Sequence, residues 1–98
     1  MKILVCCGSG LGSSFMIEMN VQDALKEIGA PDSVEVDHSD LGSAKGYNAD
    51  LYIGTRDIAP ELETIGAPVI SLNNMLDKEE LRTKLRNQLT EMGVQLTK

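Results

Sequence analysis

The sequence predicts a small α/β domain built on a four-stranded parallel sheet flanked by helices. Three observations carry this expectation. An unbroken apolar run near the amino end stops at glycines, two longer stretches repeat apolar residues at helical spacing, and short β-prone segments stand between them. Strands that alternate with helices or loops build parallel sheets through right-handed crossovers. The 98 residues contain no internal linker or repeat, so one domain over 1–98 is expected.

Ile3-Leu4-Val5-Cys6-Cys7 reads as the first strand, because a continuous apolar run suits a strand covered on both faces. After Gly8-Ser9-Gly10-Leu11-Gly12, the residues Phe15, Met16, Met19, Leu25 and Ile28 mark a helix from about Ser13 to Ile28, ended by Gly29-Ala30-Pro31. Met16 and Met19 are read as core packing in preference to a partner surface. Ser33 to Asp37 alternates with Val34 and Val36 on one face and predicts a short second strand near a sheet edge. The polar segment through Asn48 reads as loop or short helix. Ala49 to Gly54 and Pro68 to Ser71 predict strands three and four. From Asp77, the spacing of Leu81, Leu85, Leu89 and Met92 predicts a final amphipathic helix, with Asp77 as N-cap, Glu80 three positions later and Gly93 near its end.

Composition narrows the function classes. Nine Lys plus Arg against fifteen Asp plus Glu give a formal charge of −6, so the attraction that draws proteins to nucleic-acid backbones is missing. The longest apolar run is too short to cross a bilayer, and no charged-then-apolar leader precedes it, so a cytoplasmic protein is expected. The two cysteines are adjacent, which rules out an ordinary disulfide between them and fits a reducing compartment with a working thiol.

The densest chemistry is Cys7-Gly8-Ser9-Gly10-Leu11-Gly12-Ser13-Ser14, between a strand and a helix. Glycines let the backbone turn and aim N–H groups inward, and a helix start adds unpaired donors and partial positive charge. The loop is therefore expected to cradle an anion, with Ser9, Ser13 and Ser14 as side-chain donors and Ser13 or Ser14 also capping the helix. The same field favours thiolate, making Cys7 the candidate nucleophile for phosphoryl transfer, whereas Cys6 reads as a buried small hydrophobe. No metal or cofactor is expected. Working residues of such sheets lie beyond the carboxyl ends of the strands, which places Cys7, Thr55 to Ile58 and Leu72 to Asn74 on one rim. His38, the sole histidine, reads either as ordinary surface or as an acid, base or second phosphoryl acceptor; Arg56 and Asp57 read either as a surface ion pair or as a charge contact to phosphate or a partner.

The stretch Ile3 to Met16, with Cys7 ahead of a G-x-G-x-G-S-S loop, resembles the opening of the ascorbate-specific subgroup among the cysteine-phosphorylated IIB components of the bacterial sugar phosphotransferase system (PTS). Ala49-Asp50-Leu51-Tyr52-Ile53-Gly54-Thr55 and Asn73-Asn74-Met75-Leu76 are similar to that subgroup's later strand and the turn into its last helix. The resemblance implies a phosphoryl carrier. Cys7 would take the group from a phosphohistidine on a IIA protein and pass it to a sugar-like substrate such as L-ascorbate, held by a IIC membrane permease. It also implies a Rossmann-like fold similar to low-molecular-weight tyrosine phosphatases.

Three rivals stand beside this reading. A galactitol-type IIB carries a related cysteine-glycine loop and would take another substrate. A cysteine phosphatase uses C-x5-R-[ST], but Ser13 occupies the arginine position here, removing the bidentate phosphate clamp. A dinucleotide module would use G-x-G-x-x-G with Asp37 after strand two, yet Ser13 replaces the third glycine.

Overall fold

The computed structural model describes residues 1–6, 11–39, 41–44, 46–73 and 77–97, and the side chains of these except 11–15 and 41. In chain order it contains β1 (Lys2–Cys6), α1 (Leu11–Ile28), β2 (Glu35–Ser39), α2 (Leu41–Ala44), β3 (Leu51–Thr55), α3 (Ala59–Glu63), β4 (Val69–Leu72) and α4 (Lys78–Glu91). The strands form one parallel sheet in the order β2-β1-β3-β4, a Rossmann-like α/β arrangement, with β2 on the expected edge.

Side-chain alternation along β1 divides the interior in two. Ile3 and Val5 point to one face, where Leu51, Ile53, Ile70 and Leu72 of the neighbouring strands meet Ile17, Val21 and Ile28 of α1 and Leu81, Leu85 and Leu89 of α4. Leu4 and Cys6 point to the other face, joining Tyr52, Ala44 of α2, and Ile58 and Leu62 beside and within α3. This two-sided burial is why β1 reads as an unbroken apolar run rather than an alternating one. Tyr52 is nearly fully buried, and its hydroxyl donates to the Tyr47 carbonyl at 2.8 Å and accepts from the Ala49 N–H at 3.3 Å, so its polar end is satisfied. A Cβ on Gly54 would stand 2.7 Å from Leu62 Cδ1; the missing side chain lets α3 lie directly against β3.

Helix ends follow local chemistry. Gly29 adopts a positive φ of 75°, with its N–H donating to the Lys26 carbonyl at 3.3 Å and the Ala30 N–H to the Leu25 carbonyl at 2.9 Å, the paired bonds of a Schellman ending. Gly93 repeats the arrangement, with φ 84° and bonds to Thr90 at 3.1 Å and from Val94 to Leu89 at 2.9 Å. At the start of α4 the Asp77 carboxylate accepts from the Glu79 and Glu80 N–H groups, both at 3.1 Å. Asp77→Ala is expected to lower unfolding free energy by about 1 kcal/mol, read as a reduced midpoint in urea at unchanged slope.

The structure corrects several expectations. Helix α1 begins at Leu11 rather than Ser13, so residues 11–14 form its first turn and neither Ser13 nor Ser14 is its N-cap. Strand β2 is Glu35–Ser39, two residues later than read, which puts Asp37 at its middle rather than at its end, where a dinucleotide module would need it. Met16 and Met19 are about half exposed, at 52% and 50%, not core. Helix α3 went unread: five residues make little more than one turn and carry no period, although Pro60 in its first turn is a start signal.

Candidate active site at the carboxyl rim of the sheet

All four strands run the same way, so their carboxyl ends share one rim. Register places Cys6 between Ser39 of β2 and Gly54 of β3, and Thr55 beside Leu72 of β4. The Arg56 N–H donates to the Leu72 carbonyl at 2.9 Å and fastens the two rim turns together. The chain leaves β1, returns through α1 to β2 on one side, and later enters β3 on the other. The central strand β1 thus ends at the topological switch point where open α/β sheets bind ligands.

Residues 7–10, which include the predicted nucleophile Cys7 and the loop members Gly8, Ser9 and Gly10, lie outside the described residues. The remaining members, Leu11, Gly12, Ser13 and Ser14, supply the first turn of α1. The first four N–H groups of a helix have no partner within it and carry its positive dipole end. No acidic side chain occupies that turn, whereas α4 begins with Asp77, Glu79 and Glu80. The first turn of the eighteen-residue α1 thus carries no carboxylate, while α4 fills its own amino end with them.

Cys6 is sealed, with no solvent exposure, among Leu4, Tyr52 and their neighbours, as read from its place in the strand. Around the rim, Arg56 and Asp57 are both exposed. Asp57 is engaged by the Thr55 hydroxyl rather than by Arg56, and that bond, with backbone N–H groups of the same turn, holds its carboxyl below the usual range. His38 stands on β2 opposite Val5 of β1. Its ring N–H at Nδ1 donates to the Glu18 carboxylate of α1 at 2.6 Å, tying the edge strand to the helix.

Next to this pair, Asp37 Oδ2 accepts from the Tyr47 hydroxyl at 2.5 Å and Oδ1 from the His38 N–H at 2.8 Å. The Tyr47 hydroxyl first, then the His38 amide, hold the Asp37 carboxyl below its ordinary value. One ligand atom each from Glu18, Asp37 and His38 lie within 4.8 Å of one another, a grouping these hydrogen bonds account for without an ion. A lowered folded-state pKa means that the unfolded chain binds the proton more readily. Asp37 therefore adds stability above the ordinary Asp range near 4, and that stability is lost as pH falls through its folded value. Asp37→Asn and Tyr47→Phe are each expected to flatten the fall in melting temperature between pH 5 and pH 3; an acid limb as steep as the parent's would refute the coupling. Sequence reading missed both pairs, since their members lie 20 and 10 residues apart and only the fold brings them together.

A groove lined by Lys2, Leu25, Pro31, Val34 and Asp37 opens toward the amino ends of β1 and β2.

Comparison with known proteins bears on the rim. The sequence matches the family described as "PTS system, Lactose/Cellobiose specific IIB subunit" over residues 2–94. It is similar to an ascorbate-specific PTS system EIIB component of Mycoplasma pneumoniae, 28% identical over 92 residues that cover 91% of this chain and 95% of that protein. It is also similar to the protein of the same description in Salmonella typhimurium, 30% identical over an alignment of 97 residues, covering 92% and 90% of the two chains. Among solved structures, the lactose-specific IIB component domain from Streptococcus pneumoniae shares the fold, with a TM-score of 0.63 at 20% identity over 92% of this chain and 95% of that one.

Proposed function

Because the chain belongs to the lactose/cellobiose-type IIB family of the phosphotransferase system, and so is a phosphotransferase component of sugar uptake, we propose that it carries phosphoryl on Cys7. In this reading 1–98 acts as one IIB domain on the cytoplasmic side of a membrane. The Cys7 thiolate attacks the phosphorus of a phosphohistidine on a IIA protein; an S–P bond forms, the N–P bond breaks, and the imidazole leaves with the electron pair. A hydroxyl oxygen of a substrate held by a IIC permease then attacks the same phosphorus. The S–P bond breaks, the thiolate returns, and the hydroxyl proton passes to a base.

The observation that carries the reading is the join of β1 to α1. The strand ends on a cysteine locked in the core, and after four intervening residues an eighteen-residue helix begins whose first turn has no acid. Between them stand a second cysteine and the loop Gly8-Ser9-Gly10. An anion held there meets backbone N–H groups of the helix start, with the Ser9, Ser13 and Ser14 hydroxyls as further donors. The same field lowers a thiol pKa from its free value of about 8.5. Ser13 takes the place of a clamping arginine, consistent with holding phosphate rather than hydrolysing it. Among the described residues no helix is long and apolar enough to cross a membrane, which agrees with a substrate held by a separate permease.

L-Ascorbate is the proposed substrate, on the strength of relatives aligned along nearly their whole length. The test reconstitutes the chain with phosphoenolpyruvate, the general transfer enzymes, a matching IIA and membranes bearing a matching IIC. Phosphorylated ascorbate is the expected product. Phosphorylation of lactose or galactitol instead would replace the substrate and keep the carrier; steady release of phosphate from an aryl phosphate would replace the carrier with a hydrolase.

A further inference from the structure

The two edges of the sheet differ in what they offer another chain. Strand β2 carries Glu35, Asp37 and His38, whereas β4 reads Val-Ile-Ser-Leu within a stretch, 64–76, that holds no charged residue. An uncharged, β-prone edge is a template for pairing with a further strand. The Pro68 carbonyl accepts from the Tyr52 N–H at 3.0 Å and the Leu72 carbonyl from the Arg56 N–H at 2.9 Å, so residues 68 and 72, and with them 70, turn their backbone groups to β3. Val69 and Ser71 turn theirs to the open side, where β4 ends the sheet.

One of those outward groups is already taken. Lys84 reaches across from α4, and its Nζ donates to the Ser71 carbonyl at 2.6 Å. Glu80 holds the same ammonium at 2.9 Å while accepting from the Asn73 side-chain amide at 2.8 Å. The ammonium is therefore fixed over the edge rather than left to swing. A groove of about 350 Å³, lined by Val69, Ile70, Ser71, Lys84, Asn87 and Glu91, runs beside it. We infer that the β4 edge is a self-pairing surface for a second copy of this chain, and that Lys84 holds it shut.

The occupant follows from symmetry. Antiparallel pairing about a two-fold axis at Ile70 sets Val69 opposite Ser71 of the second copy, and does so twice. Each of these pairs exchanges two N–H···O bonds, so the outward groups of both edges are used and the two sheets become one. The Ser71 carbonyl of each copy is needed for this, and it already lies under an ammonium. Closing the pair would also bring two Lys84 charges to one axis, and like charges facing across an interface oppose it.

The test follows the mass of the full chain by size-exclusion chromatography with light scattering over a concentration series, together with hydrogen exchange of its amides. K84M keeps an apolar stem and removes the ammonium. It is expected to dimerise at concentrations about tenfold or more below any at which the parent does, with exchange slowed at the Val69 and Ser71 amides. The parent and K84R should stay monomeric, with those two amides exchanging fast. K26M removes the same charge from an exposed site and should also stay monomeric. Adding V69P to K84M should restore the monomer, because proline deletes one outward N–H at the first position of an edge strand, where it is tolerated. K84Q carries the test should K84M not fold.

Monomeric K84M and K84Q chains overturn the inference, as does equal association of K26M. Association that leaves Val69 and Ser71 in fast exchange overturns it too, since another surface is then responsible. A parent that already dimerises with those amides protected shows that Lys84 does not hold the edge shut.

Discussion

Cys7→Ser is expected to leave no detectable phosphoryl adduct after incubation with phosphorylated IIA, while Cys6→Ser still takes up one group per chain. The contrast follows from where the two neighbouring residues fall. Cys6 closes β1 with its side chain sealed against Leu4 and Tyr52, where no protein-bound phosphohistidine can reach it. Cys7 is the next residue, at the head of the glycine loop. A serine hydroxyl is far less acidic than a thiol, and the field of a helix start does not make it an alkoxide near neutral pH, so C7S is also not expected to form a stable phosphoserine.

The two variants should differ in stability in the opposite sense. Cys6→Ser places a hydroxyl in an apolar site and is expected to cost about 1–3 kcal/mol, whereas C7S should melt close to the parent. Intact-mass spectrometry with thermal melts checks both halves of the statement. A labelled C7S chain, or an unlabelled but folded C6S chain, would move the phosphorylated thiol to Cys6 and require the strand end to open.

The second large effect concerns the shared core of α1, the sheet and α4. Leu85 is fully buried at the middle of the α4 stripe, between Leu81 and Leu89. Truncation to alanine removes three heavy atoms and leaves a cavity that the stiff β-sheet cannot collapse to fill. Leu85→Ala is expected to cost about 2–5 kcal/mol. For a chain of this size, whose whole stability is on the order of 5–15 kcal/mol, that is a large share. A shift of the urea midpoint worth less than about 1 kcal/mol would mean that α4 packs more loosely than its burial implies. Cys7 labelling at low temperature should survive in whatever fraction stays folded, because Leu85 lies in the middle of α4 within the core, whereas Cys7 directly follows β1 in the chain.

Much of this fold is legible in the residues because several signals agree. Ile3 to Cys6 could be read as a strand covered on both faces, and it is. Asp77 and Gly93 bracket α4 as cap and stop, and both act as such. The misreadings have physical causes. Strand β2 is a polar edge, Glu35–Ser39, covered on few sides, so its apolar alternation is faint and its limits slid by two residues.

On α1 two apolar sets compete at helical spacing. Met16 and Met19 read as core from their spacing alone, but the set beginning at Ile17 fits the longer period and includes Val21 and Ala24, whose small size hides a core position. The expected centre of the site is a local pattern, a glycine loop between strand and helix, and its residues 7–10 lie outside the described residues. The surroundings of the site were not legible: the His38–Glu18 and Tyr47–Asp37 contacts join residues from separate elements, and no local pattern encodes them.

The placement of β1 at the middle of the sheet has a consequence for how the molecule is made. Its partners are Lys2 with Glu35 and Ile3 with Leu51, separations of 35 − 2 = 33 and 51 − 3 = 48 residues. No neighbour of β1 is close in the chain, so closing each pairing costs loop entropy before any packing returns it, and slow folding is the result. On a ribosome β1 emerges ahead of both its neighbours and must wait, with its apolar residues uncovered, until β2 and then β3 have followed it out. Early protection of that segment, by a chaperone or by α1 folding back on it, is then what keeps a newly made chain from aggregating.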